Sequence, residues 1–227
     1  MLPDPILTEH DGFLVLRDDL LAGGTKRRAI HALFDSHDEF VYPSPVFGYA
    51  QLALAYAARE AGKKATVFCA KRKERHPRTR EAEEAGAQII EVPNGYLNVV
   101  KARAREYCAI HEACLLPFGL DTPAFINALA DVARALPILP TEVWSVVGSG
   151  ALSRALQLAW PKATFYGIQV GSVPNAGGAH IMAALEPYEK DARYPPPFPS
   201  CSNYDAKVWY FMRKHGSLGA LMWNVGA

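Results

Sequence analysis

The chain of 227 residues is half hydrophobic, with 24 Lys and Arg against 23 Asp and Glu and a formal net charge of +1. That length and apolar content suffice for one large core or two small lobes, and the charge balance excludes a global attraction to nucleic acid or membrane. No apolar run is long enough to span a bilayer, and the opening residues 1–5 (MLPDP) do not read as a signal peptide.

In chain order, the first notable stretch runs from Arg17 to Arg28 (RDDLLAGGTKRR). Gly23 and Gly24 permit a tight turn and leave room beside Lys26, which opens a helix-like run to Leu33. A lysine held in a confined site at a helix start can lose its proton and attack a carbonyl as a free amine. A loop from Pro45 leads into an Ala/Leu-rich helix over Gln51–Ala61, closed by Gly62. The pattern then predicts strand 65–69, helix 79–87, strand 88–92, helix 97–109, strand 113–118 and helix 123–136. Strand 142–147, helix 151–158 and strand 164–171 follow. Strands separated by helices of this length imply parallel pairing in an α/β fold. Residues 172–203 break the rhythm with Gly177-Gly178 and Pro195-Pro196-Pro197 and read as loop-rich. The tail predicts an amphipathic helix from Tyr204 and a last buried strand from Leu221.

Cys69, Cys108, Cys114 and Cys201 form no CxxC pair and have no zinc-like spacing with His, so they read as reduced thiols of a cytoplasmic protein. His10, His31, His37, His76, His111, His180 and His215 show no metal-ligand spacing either, and no metal is expected. Gly148-Ser149-Gly150 ends one predicted strand and flows straight into Ala151 and Leu152 of the next helix. Such a turn aims backbone amides and the positive end of a helix dipole at one point, which suits a phosphate. It is neither a Walker loop nor GxGxxG.

The order of these motifs carries more than any one of them. Gly-Gly-Thr-Lys early, Gly-Ser-Gly late, and Tyr204-Asp205-Ala206-Lys207 before a strand ending Trp223-Asn224-Val225-Gly226 resembles the fold-type II pyridoxal-phosphate enzymes. Arg17, Asp19, Leu20, Gly23, Gly24, Lys26 and Arg28 fit the early motif of the 1-aminocyclopropane-1-carboxylate deaminase and D-cysteine desulfhydrase branch. Residues 114–128 (CLLPFGLDTPAFINA) are similar to its crossover into the second half. The resemblance implies two open parallel-sheet lobes with the cofactor, pyridoxal 5′-phosphate, in the cleft. The larger lobe would span 1–41 and 121–227, and the inserted one 42–120. It implies a Schiff base on Lys26, a phosphate cradle at Gly148, Ser149, Gly150, Ala151 and Leu152, and Tyr204 stacked on the pyridine ring. Asp205 would sit beside the ring nitrogen and Asn224 near the cofactor. A carboxylate at that nitrogen keeps it protonated and makes the ring a strong electron sink. Dimers are usual in the family, so a homodimer is expected.

Three departures mark this chain. The loop that binds substrate carboxylate in the family is replaced by residues 44–51 (SPVFGYAQ), which lack its asparagine; Ser44 and Tyr49 remain as candidates for proton transfer. The family's C-terminal His-Thr-Gly-Gly becomes Asn224-Val225-Gly226-Ala227. The chain is also short for the family, near the N-terminus and around 172–203, which leaves room for a larger or carrier-bound substrate. The basic run Lys71–Arg80, at the C-terminal end of a predicted strand, suits a phosphate backbone or a solvated loop balanced by Glu81, Glu83 and Glu84. The first reading is therefore a lyase or deaminase acting at the α-carbon of a small amino acid. The alternative is a decarboxylase of an amino acid attached to a modified nucleotide or DNA base. A third is a retired enzyme that binds cofactor without turnover.

Overall fold

The computed structural model describes residues 2–93, 95–171 and 175–227. The chain divides into two compact units, Met1–Thr25 with Asp121–Ala227, and Lys26–Leu120. The first opens with a hairpin of β1 (Leu7–His10) and β2 (Phe13–Arg17), turned at Asp11 and Gly12, both at positive φ. Neither strand is among those predicted. Helix α1 (Gly24–Ala29) follows and tightens to a 3-10 turn over Ile30–Leu33. The helix expected over Lys26–Leu33 thus starts two residues early. Gly24 has a φ of +63° and its amide bonds to the Leu21 carbonyl at 2.7 Å, so it closes the preceding turn and opens the helix at once.

The second unit contains β3 (Glu39–Pro43), α2 (Ala50–Glu60), β4 (Lys64–Ala70), α3 (Pro77–Glu84), β5 (Gln88–Val92), α4 (Leu97–His111) and β6 (Cys114–Leu115). All four strands are parallel, in the order β5-β4-β3-β6. Val41, Phe68, Val92, Val100 and Ala104 form a core under α4. Helix α3 begins at Pro77, which suits a first turn because its missing N–H is not needed there, and His76 Nδ1 accepts from the Arg78 amide. The strand expected over 113–118 shrinks to two residues. Pro117 has no amide for a ladder, and the chain then turns through Gly119 and Leu120, both at positive φ.

The first unit resumes with α5 (Pro123–Arg134), β7 (Glu142–Val147), α6 (Ala151–Ala159), β8 (Thr164–Gln169), β9 (His180–Ala183), α7 (Ala206–His215) and β10 (Leu221–Asn224). Thr122 caps α5 by accepting from the Phe125 amide at 3.2 Å. The sheet order is β1-β2-β10-β7-β8-β9, parallel throughout except for the hairpin. Trp144, Trp209, Met212, Met222 and Val15 lie in its core. Within 172–203, read as loop from sequence, the structure adds β9 as an exposed edge strand; residues 172–174 of that stretch lie outside the described residues. No helix among the described residues is long and apolar enough to cross a membrane.

Candidate active site

Open parallel sheets bind ligands outside the carboxyl ends of their strands, where the strand order reverses. In the first unit the chain steps outward from β7 to β8 to β9, then returns through α7 to lay β10 on the other side of β7. The reversal therefore lies between β7 and β10. The segments leaving that edge are 148–150, 225–227 and, from neighbouring β2, the stretch that runs to Thr25. Three motifs far apart in sequence thus converge by topology.

The glycine turn is built for close approach. Gly150 has a φ of +90°, and a Cβ there would lie 1.9 Å from the Asn175 carbonyl oxygen. At Gly148 a Cβ would lie 2.5 Å from the Tyr204 hydroxyl, so the phenol packs directly against the glycine. Ser149 Oγ accepts from the Ala151 amide at 3.4 Å, and α6 begins there. The Asn175–Gly178 segment is clipped to α6 by Ser153 and Gln157, which both donate to the Ala176 carbonyl, at 3.0 and 2.7 Å. Burial, with the Asp205 carboxylate next in effect, pushes the Tyr204 phenol far above its ordinary range, so it stays neutral. Next to it, fully buried Asp205 accepts from the Gly226 amide at 3.0 Å through Oδ2. Asn224 is held by its neighbours: Nδ2 donates to Asp19 and to the Pro199 carbonyl, and Oδ1 accepts from Ser200.

The early motif is wired to the same strand end. Arg17 makes a two-point ion pair with Asp19, at 2.8 and 2.7 Å. Buried Asp18 accepts from Thr25 Oγ1 at 2.7 Å and from the Trp223 indole at 3.2 Å, and that indole also donates to Thr25 Oγ1 at 2.8 Å. The Thr25 amide bonds to the Val225 carbonyl at 3.0 Å. Lys26, half-buried on α1, therefore follows a residue fixed by three hydrogen bonds. The sequence reading missed this network. A buried tryptophan requires an acceptor for its N–H, but its partners lie about 200 positions away.

The second unit has its own reversal, between β3 and β6, and residues 44–51 leave β3 there. Ser44 is buried and donates to the Pro45 carbonyl at 2.8 Å. Gln51 ties the loop, donating to the Val46 and Gly48 carbonyls at 3.2 and 3.0 Å and accepting from Thr79 at 3.0 Å. The Arg78 guanidinium lies 4.1 Å from the Tyr49 ring centroid and donates to the Phe47 carbonyl; Arg72 lies 5.8 Å from the Phe47 ring. Arg75 pairs instead with Glu83 and Glu91. His76 is lowered by burial and then by Arg78 and Arg72. Ser44 and Tyr49 thus share one loop, and the second-unit structure describes them apart from the first-unit residues.

No family model and no curated protein matches the sequence. Solved structures do. An ACC deaminase homologue is similar over 94% of this chain and 84% of its own, with TM-score 0.80 and 16% identity. O-ureido-L-serine synthase is similar over 100% and 89%, with TM-score 0.74 and 13% identity. The processed form of threonine deaminase isoform 2 from Solanum lycopersicum is similar over 95% and 74%, with TM-score 0.69 and 13% identity. The chain has the fold of the fold-type II pyridoxal-phosphate enzymes, as its motif order implied.

Proposed function

We propose that this chain is a pyridoxal-phosphate enzyme of the lyase or deaminase type, acting at the α-carbon of an amino acid. The observation that carries the reading is the contact of Tyr204 with the glycine turn. It sets the Tyr204 phenol against the turn that leads into α6, and Asp205, one residue on, is a buried carboxylate; both support the reading. The residues fit the cofactor on that ground. Gly148 and Gly150 tolerate no side chain, so the turn presents bare backbone, and α6 adds its dipole, which suits a phosphate dianion. The bound cofactor supplies an electron sink for the pair left when a bond at the substrate α-carbon breaks.

The chain supplies the rest. The amides of Gly148 to Leu152 would bind the phosphate, and the neutral Tyr204 ring would flank the pyridine. Asp205 would hold a proton on the ring nitrogen. The Lys26 amine would hold the cofactor covalently and would serve as the group that accepts or returns the proton at the substrate α-carbon. Asn224, with its amide engaged by Asp19, Pro199 and Ser200, would shape the wall beside that nitrogen.

The test is the absorbance of purified protein with added pyridoxal phosphate, followed by borohydride reduction and peptide mapping. The expected result is a band at the violet edge of the visible and a pyridoxyl mass on Lys26, both absent in Lys26→Ala. Ammonia and a keto acid from a screen of small amino acids would then identify the deaminase. No band and no adduct would overturn the reading. A labelled Lys26 with no turnover would favour the retired enzyme.

One observation favours the carrier-bound reading. Arg72 and Arg78 of the basic run lean on Phe47 and Tyr49 of the very loop whose asparagine is replaced, which supports recognition of an anionic substrate. Carbon dioxide release from an aminoacylated base, with duplex DNA binding weakened by Arg72→Ala and Lys73→Ala, would support it. Unchanged binding in those variants would sink it.

A further inference from the structure

The second unit also brings three unlike donors together: the carboxylate of Asp35, the imidazole of His37 and the thiol of Cys114. Their ligand atoms all lie within 4.8 Å of one another. Asp35 and His37 stand in the turn before β3, and Cys114 opens β6, which pairs with β3 through Phe40 and Cys114. The turn is preorganised: Asp35 Oδ1 accepts from the His37 amide at 2.9 Å and lies 2.6 Å from His37 Nδ1. Phe34 stacks on Phe40 at 4.4 Å between centroids, and the His37 ring meets Phe40 edge-on at 6.4 Å, so packed rings fix the base of the cluster. The two outer donors are about half exposed, which gives an ion a way in.

We infer that Asp35, His37 and Cys114 form a binding site for a divalent cation of zinc type, tying the short edge strand β6 to the turn before β3. The donor chemistry selects the ion. One sulfur, one nitrogen and one oxygen suit Zn²⁺ and its neighbours in the transition series, not the all-oxygen preference of Mg²⁺ or Ca²⁺. Three protein ligands leave a fourth tetrahedral position for water. Zinc bonds of about 2.0–2.3 Å place ligand atoms roughly 3.5 Å apart. Exposed side chains in a turn reach that spacing by small rotations that open the Asp35–His37 pair and close the others.

Binding would form the metal–sulfur bond and release the thiol proton to solvent, and would neutralise the repulsion between thiolate and carboxylate. Helix α4 packs against β6, and the Cys108 carbonyl accepts from the Ala113 amide at 3.2 Å. The end of α4 therefore stands beside the cluster. The spacing Asp35-x-His37 with a cysteine far downstream matches no sequence pattern, so only the β3–β6 pairing reveals it.

The experiment titrates the full chain with Co²⁺ as a spectroscopic probe and with Zn²⁺ by calorimetry, and needs no pyridoxal phosphate. The expected result is one equivalent bound, a thiolate-to-cobalt charge-transfer band, proton release, and weaker binding as pH falls. Cys114→Ser should abolish the band. His37→Ala, in an exposed turn and costing only one edge-on ring contact with Phe40, should weaken affinity by at least about tenfold. Cys69→Ser, inside β4, should change neither. Overturning results are no binding, binding without the thiolate band, or binding that survives both His37→Ala and Cys114→Ser. Because the assay reads metal alone, it fails or succeeds independently of the cofactor reading.

Discussion

The two sheets share one topological device and use it differently. In the first unit the reversal between β7 and β10 is closed by backbone: Gly148 and Gly150 leave no space for a Cβ, and the Tyr204 phenol packs on Gly148. In the second, the reversal between β3 and β6 opens onto a loop held by side chains, Gln51 from within and Arg78 from α3. A site made of amides tolerates almost no substitution, because any side chain fills the space a ligand or neighbour requires. A site made of side chains can exchange an asparagine for another arrangement and keep its loop.

Four measurements test that contrast. Gly150→Ala should be the most severe. A left-handed backbone with a side chain overlapping the Asn175 carbonyl costs about 3 kcal/mol or more in denaturant unfolding, with loss of cofactor uptake. Gln51→Ala removes three hydrogen bonds of a fully buried amide. It should cost about 2 kcal/mol and raise KM while leaving cofactor uptake intact; lost uptake would mean the two loops do not divide their work as described. Thr25→Val should cost about 1 kcal/mol, since Trp223 keeps Asp18 as acceptor, yet should lower turnover by loosening the residue before Lys26. The smallest effect is a pH dependence. Burial pushes the Cys69 and Cys108 thiols up to about 11, above the ordinary 9. In the unfolded chain both ionise first, so it binds fewer protons between those values and stability falls as pH rises from 9 toward 11. Urea midpoints at pH 8 and pH 10 should show the decline, and Cys69→Ala should reduce it.

Much of the fold was legible locally. Strands β5 and β7 run over the residues their periodicity predicts, and α5 begins at Pro123 behind a Thr cap. What was missed has a common cause. β1 and β2 define each other across the turn at Asp11 and Gly12, β3 is defined by its places beside β4 and β6, and β9 is an exposed edge whose pairing with β8 defines it. β6 was overestimated because a run of apolar residues does not show which amides find partners; Pro117 and the left-handed turn after it end the ladder. The basic run is legible as charge only. Arg75 closes on Glu83 and Glu91 while Arg72 and Arg78 turn to Phe47 and Tyr49, and no spacing distinguishes the two fates.

By itself the sequence determined the alternation of strand and helix, the glycines at 23, 24, 148 and 150, and the order of motifs that points to one fold. Those features are local, set by backbone freedom and by the period of apolar residues over a few turns. Only the tertiary structure decided that Asp18, Thr25 and Trp223 form one network, that Tyr204 rests on Gly148, and that Cys114 meets Asp35 and His37. Each of those meetings is made by strand order. Which strand lies beside which depends on burying both faces of a whole sheet at once, a condition no short stretch of residues can express.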